Sequence, residues 1–256
     1  MAQTRIDPKM RRQVLTLQVL TPVVLIILWE LIARSGLLYE GVVPTTLEVV
    51  RAFWGEITSP ALYHHYGITL MELFGGFIIA TITGVVVGVA LGSRPFASRV
   101  ADPFLSSLAT TPKIIFLPVV MLMFGIGPES KVALGALAGF FPIALSTMAG
   151  TLGVRPVLVN VGKVLNLSRW QMLTKIYLPS LVGPIIRGMR LGLGVTVIAI
   201  LLGEIKLSNA GLGFLAIEYY NSFHIANMYS ILIIIFLTAL IINAAMSYIS
   251  QRFDRP

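Results

Sequence analysis

Three stretches of this chain, Leu73–Ser93, Val132–Val154 and Ile225–Gln251, contain no charged residue. Each reaches the roughly 20 residues needed to cross about 30 Å of hydrocarbon, where a helix satisfies its backbone polar groups within the segment. Three weaker spans join them. Val14–Trp29 is uncharged and continues through Glu30 to Ala33. Pro103–Pro128 is apolar except for Lys113 and is broken by Pro112 and Pro118. Ile176–Gly203 is interrupted by Arg187 and Arg190 near its N-terminal side. The expected fold is an all-α integral membrane protein of about six transmembrane helices. It forms one domain over residues 1–256, with no remaining segment large enough for a soluble domain. Composition agrees, since 12% of the residues are charged where soluble domains carry about 25%.

The first span has the basic start of a signal peptide (Arg5, Lys9, Arg11, Arg12), but its apolar region is long and ends in Trp29-Glu30 without a small-residue cleavage site. It reads as an uncleaved helix. Charge then sets the orientation. With the N-terminus inside, the cytoplasmic segments hold Arg5, Lys9, Arg11, Arg12, Arg94, Arg99, Arg155, Lys163, Arg169, Lys175, Arg187, Arg190, Arg252 and Arg255. The opposite side holds Arg34, Arg51, Lys131 and Lys206, together with Glu40, Glu48, Glu56, Glu129 and Glu218. The positive-inside rule therefore places both termini in the cytoplasm and residues 36–65 outside. It also accounts for the net charge of +8 without nucleic acid, because the cations are scattered among apolar spans. With no cysteine, disulfides, thiolate nucleophiles and cysteine zinc sites are excluded together.

Between the apolar runs lies a polar, basic island, Asn160–Pro179, carrying Lys163, Arg169 and Lys175. Val157, Val161, Val164 and Leu165 recur at helical spacing behind Pro156, which suits a helix start, so a short amphipathic helix is expected on the membrane surface. Its register also carries a resemblance. Asn160-Val161-Gly162, then Asn166, then Ile176-Tyr177-Leu178-Pro179 follow the Glu-Ala-Ala, three residues, Gly, nine residues, Ile-x-Leu-Pro pattern of permease subunits of binding-protein-dependent ABC importers. The spacing and the Ile-x-Leu-Pro end match, and Ser168-Arg169-Trp170-Gln171 resembles the usual filling. The Glu, both Ala and the central Gly are replaced. Leu28-Trp29-Glu30-Leu31, Phe124-Gly125-Ile126-Gly127, Phe140-Phe141-Pro142-Ile143 and Gly203-Glu204 followed by Gly211-Leu212-Gly213 are similar to the same family, nitrate, sulfonate and taurine branch.

The resemblance implies a type I ABC importer permease fold in a bacterial inner membrane. It further implies a homodimer in the lipid bilayer, two separate ATPase subunits inside and a substrate-binding protein outside. Residues 155–179 would be the coupling loop, with Asn160, Val161, Gly162, Lys163, Asn166, Ser168 and Arg169 against the ATPase. Small Gly162 would permit close approach there, and Lys163 and Arg169 would pair with acids. The solute would be small and anionic, and Gly36–His65, with Tyr39, Pro44 and Trp54, would dock the binding protein. The chain itself encodes no nucleotide site. Its only Gly-Lys, Gly162-Lys163, is followed by Val164 and has Val157 where a Walker A motif needs glycine.

Intramembrane polar residues are the remaining candidates, because a charge at mid-bilayer costs roughly 2.5–3.5 kcal/mol on insertion scales. Lys113, behind Thr110-Thr111-Pro112, is either a pathway cation or a lysine snorkelling to the interface. Glu204, a further pathway candidate, and Glu30 sit near outer helix ends, where they pair across helices, touch a partner or are solvated. Gly192, in the fifth span, either lines the pathway at a dimer core or packs within one subunit; Gly84 and Gly88 form a small-xxx-small step. The vicinal pair His64-His65 is poor metal geometry on a helix, so no metal site is assigned. No acid, base and nucleophile set supports catalysis, so the chain reads as a transporter subunit and not an enzyme, without a cofactor of its own. An ATP-independent secondary transporter or channel explains the spans and Lys113, but not the spacing through Asn166 to Pro179.

Overall fold

The computed structural model describes residues 8–36, 39 and 41–253, and every regular element among them is helical. Arg5, Glu40 and Arg255 of the charge count lie outside the described residues. The chain divides into two compact units, Met1–Ser59 with Ala216–Leu232, and Pro60–Leu215 with Ile233–Pro256.

In the first unit α1 (Pro8–Arg34) precedes the short helix α2 (Thr46–Ile57). α2 starts where it does because Thr45 and Glu48 form a reciprocal capping box, a feature worth about 1 kcal/mol. The end of α1 is tied to that start. Trp29 Nε1 donates to Pro44 O at 2.9 Å, and Glu30 accepts from Thr46 N at 2.9 Å and from Arg34 Nε at 2.6 Å. Glu30 is thus paired within its own unit. The far end of α2 is fixed by buried Glu56, which accepts from Asn227 Nδ2 at 2.8 Å.

The second unit is built around α6 (Pro128–Leu152), whose principal neighbours are α3 (Pro60–Gly92) and α9 (Leu178–Leu207). α3 meets α6 along glycines. A Cβ on Gly88 would sit 2.6 Å from Thr147 Cβ and 2.7 Å from Ala144 O, and one on Gly92 would stand equally close to Thr151 Cβ and Met148 O. Backbones that approach this closely suit helices in lipid, where packing rather than hydrophobic exclusion drives association. Leu73, Leu193, Ile200 and Met246 form one apolar cluster, and Leu117, Leu134, Ala138 and Ala199 another.

Among the described residues five helices are long and apolar enough to cross a membrane, and a pair bent by 89°, α4 (Pro95–Thr110) and the segment Lys113–Phe124, makes a sixth if it is one span. The break falls at Thr111-Pro112. Pro118 instead occupies the first turn of α5 (Leu117–Phe124), where proline has no hydrogen bond to lose. Arg187 and Arg190 do not interrupt α9, which runs through them with both side chains exposed.

Candidate functional site

The island folds as α7 (Pro156–Val164), a turn of helix α8 (Arg169–Met172), and a π-helical turn over Leu173–Tyr177 that runs into α9. Asn166 ends α7. It has φ of +49° in the left-handed region, with Asn166 N donating to Lys163 O and Leu167 N to Gly162 O, both at 3.0 Å. This is the Schellman arrangement, which glycine favours and asparagine tolerates best among the rest. The replacement of glycine at this position therefore preserves the turn.

Which face of α7 is outward reverses the sequence expectation at Gly162. Gly162 is buried, and a Cβ there would lie 2.5 Å from Ile176 Cδ1, with Met172 Sδ also in the way. Its smallness serves contact with the returning chain. Ser168 spends its hydroxyl on a capping box, accepting from Gln171 N at 3.2 Å while its own N donates to Gln171 Oε1 at 2.9 Å. Asn160, Val161, Lys163, Asn166, Ser168 and Arg169 are exposed. Beside them stand residues absent from the expected contact set: Val157 (70% exposed), Val164 (80%), Leu165 and Trp170. The apolar stripe lies on the open side, and its signal in the sequence was a valine–leucine period opposite a glycine.

Lys113 neither snorkels nor stands free. It is buried, and its ammonium donates to Leu108 O (2.5 Å), Ala109 O (3.0 Å) and Thr111 O (2.6 Å), with the Phe141 ring 5.0 Å away. The last carbonyls of a helix lack intrahelical partners and carry its negative dipole end, so a cation there closes α4 at the bend. Lys113→Met is expected to lower the yield of folded protein, by roughly 1–3 kcal/mol for carbonyls left unpaired. A selective loss of uptake with unchanged folding would return Lys113 to the pathway.

A second charged cluster joins α3, α6 and α9. Glu72 (1% exposed), Lys131 (0%) and Glu204 (0%) are all interior, so Lys131 is not the outer-surface cation that its place at the edge of a span implies. Glu204 accepts from Thr69 Oγ1 and from Gly213 N, each at 2.7 Å, and Thr69 Oγ1 accepts from Leu212 N at 2.8 Å. Gly211, at φ +105°, and Gly213 wrap this carboxylate so closely that a Cβ on either would strike it. This explains why Glu204 is followed by a Gly-Leu-Gly turn. Lys131 Nζ donates to Ile126 O and Gly127 O and lies within electrostatic reach of both carboxyls. Among the described residues Glu72 meets no donor from another side chain or the backbone, and its carboxyl faces that of Glu204. Gly192 is likewise interior, its α-carbon turned to Ile143 and Gly139 of α6, whereas Gly194 faces open space. Packing within the chain is therefore the role observed for Gly192.

Residues 80–255 match the family described as binding-protein-dependent transport system inner membrane component. The chain is 31% identical to the putative aliphatic sulfonates transport permease protein SsuC of Bacillus subtilis (strain 168), over 78% of its own length and 72% of that protein. It is 31% identical to the taurine transport system permease protein TauC of Escherichia coli (strain K12), over 80% and 76%. The nitrate import permease protein NrtB of Leptolyngbya laminosa is 26% identical over 90% and 84%. Among solved structures, a chain of the inward-facing MetNI methionine ABC transporter superposes with a TM-score of 0.60 at 19% identity, covering 83% of this chain and 99% of that one.

Proposed function

The chain belongs to the family of binding-protein-dependent transport system inner membrane components, and on that premise we propose that it forms the solute pathway of an ATP-driven importer for a small oxyanion. It is a multi-pass inner-membrane protein with the type I ABC importer permease fold. ATP is hydrolysed by separate subunits that seat on residues 155–179 at the cytoplasmic side, a second copy of the chain completes the pathway, and a binding protein delivers solute over residues 36–65. There α2 presents Leu47, Val50 and Trp54. The relatives named for aliphatic sulfonates, taurine and nitrate support an oxyanion.

The observation that carries the reading is the outward apolar face of α7. A nine-residue helix, closed by a rigid turn at Asn166 and backed by Met172 and Ile176, holds Val157, Val164 and Leu165 open. An apolar helix face laid in a groove is a common way for one protein to grip another, and a rigid helix transmits displacement with few moving parts. Lys163 and Arg169 supply charge at its border.

Because the chain lacks cysteine, Val164→Cys provides a single reactive site. Crosslinking in native membranes is expected to capture a protein carrying a Walker A motif. A cysteine that reacts with cytoplasmic reagent yet captures no ATPase would instead favour an ATP-independent transporter. Asn166→Gly should leave uptake unchanged. Asn166→Val, β-branched at positive φ, strains the turn by roughly 1–3 kcal/mol and should uncouple ATP hydrolysis from uptake; full uptake in that variant would show that the turn is dispensable.

A further inference from the structure

We propose that α2 is an interfacial helix whose open stripe, Leu47, Val50 and Trp54, lies in the phospholipid of the leaflet at which α1 ends, with lipid chains filling the groove between the two helices. α2 has 12 residues, about 18 Å at roughly 1.5 Å per residue, too short to span a hydrocarbon layer of about 30 Å. Three sectors can be told apart around it. Val49 and Glu56 are buried on one side, where Glu56 is held by Asn227. Leu47, Val50 and Trp54, spaced three and four residues apart, are exposed and share a second face. Arg51 and Gly55 are exposed on a third. The buried side already fastens α2 to its own unit, so the apolar stripe is left for something outside the chain.

Continuity with α1 decides what covers it. Ile26, Ile27 and Glu30 of α1 line one groove with Thr46, Leu47 and Val50 of α2. Its volume of about 460 Å³ is within the range of small-molecule sites, so an acyl chain fits. α1 ends at Arg34, and Ile26 and Ile27 stand roughly 10–12 Å back from that end. They belong to a helix long and apolar enough to cross a membrane, and both are exposed, so hydrocarbon surrounds them. Leu47 and Val50, sharing their groove, border the same hydrocarbon. The one carboxylate there is satisfied, since Glu30 accepts from Thr46 N and Arg34 Nε. Trp54 extends the stripe by a further turn and brings an indole to the membrane boundary, where tryptophan collects. Arg51, at the edge of the stripe, has the length to reach lipid phosphates. The permease reading supplies only the leaflet, the outer one. The binding protein of that reading then meets residues 36–65 from the Arg51 and Gly55 side of α2.

The absence of cysteine makes the test direct. Leu47→Cys, Val50→Cys, Trp54→Cys and Gly55→Cys are each spin-labelled in the full chain and reconstituted into vesicles of phosphatidylethanolamine and phosphatidylglycerol. Power saturation then compares collisions with oxygen, which concentrates in lipid, and with a water-soluble nickel chelate. The ratio of oxygen to nickel contact is expected to be at least about threefold higher at 47, 50 and 54 than at 55, where a Cβ meets nothing within 4 Å. Equal ratios at 50, 54 and 55 put the stripe in water, open to a protein partner, and overturn the proposal. Low contact with both reagents marks a stripe covered by protein, such as a second copy of the chain, and also overturns it. All four positions are exposed, and each labelled variant is checked for a single symmetric peak in size-exclusion chromatography. A second measurement needs no substitution. A phospholipid carrying a diazirine on its acyl chain is photolysed with the unaltered chain in the same vesicles, and adducts are mapped by mass spectrometry. Adducts on Leu47, Val50 or Trp54 are expected, and adducts confined to the spans overturn the proposal. Neither measurement involves ATPase or solute, so failure here is distinct from failure of the importer reading.

Discussion

Gly88→Leu is expected to remove most of the folded protein from the membrane, whereas Gly194→Leu leaves its yield unchanged. The two residues differ in what stands opposite. A Cβ on Gly88 would be 2.6 Å from Thr147 Cβ and 2.7 Å from the backbone oxygen of Ala144, while a Cβ on Gly194 would meet nothing within 4 Å. Overpacking a well-filled core typically costs about 1–3 kcal/mol, and more when the obstacle is backbone, which cannot rotate aside. Four more carbons at Gly88 force α3 off α6 along the most extensive helix contact in the unit. Fluorescence-detected size-exclusion chromatography of detergent extracts reads the outcome directly. Equal monodisperse peaks for both variants would mean that α3 and α6 are not seated as described.

The second large effect concerns charge. Lys131→Met is expected to cost roughly 1–3 kcal/mol for each of the two buried carbonyls that lose their charged donor. Against total stabilities of roughly 5–15 kcal/mol this depletes the folded state severely. Methionine fills nearly the same volume, so the loss is electrostatic. It leaves Glu72 and Glu204 without their nearby cation, and Ile126 O and Gly127 O without a donor. Adding Glu72→Gln to Lys131→Met should recover part of the yield, because it removes one of two buried carboxyls that face each other. Glu204→Gln in the same background should recover less, since that carboxylate also anchors Thr69 and the turn at Gly213. A wild-type yield for Lys131→Met, or equal rescue by the two second substitutions, would contradict this division of roles.

The spans are legible in the sequence because runs of uncharged residues long enough to cross lipid admit helices and little else. The short helix at Pro156–Val164 is equally legible, since proline fixes its start and valines repeat at its period. Periodicity, however, does not say which way a face points. Val157, Val161 and Val164 recur identically whether they are core or surface, and only the return of Met172 and Ile176 over Gly162 decides that they are outside. Lys113 and Lys131 are hidden for a different reason. A cation near a span edge reads as interfacial until the carbonyls that bind it are located, and those at Leu108 and Thr111 become available because α4 ends there, while that of Ile126 lies in the turn between α5 and α6. Glu204 with Gly211 and Gly213 was visible as a pattern; its cause, a loop that closes on a carboxylate, belongs to three dimensions.

The glycine edge of α3 also determines where this molecule can yield. With Gly84, Gly88 and Gly92 each fitted against a side chain and a carbonyl of α6, neither helix can slide along the other without lifting several such contacts at once. The two behave as a single plank. Compliance falls instead to the joint at Thr111-Pro112, where an 89° bend is fastened by one lysine rather than by a continuous helical ladder. Spin labels placed across the α3–α6 seam should therefore report one fixed separation throughout a working cycle, and labels on either side of Pro112 should report the change of shape.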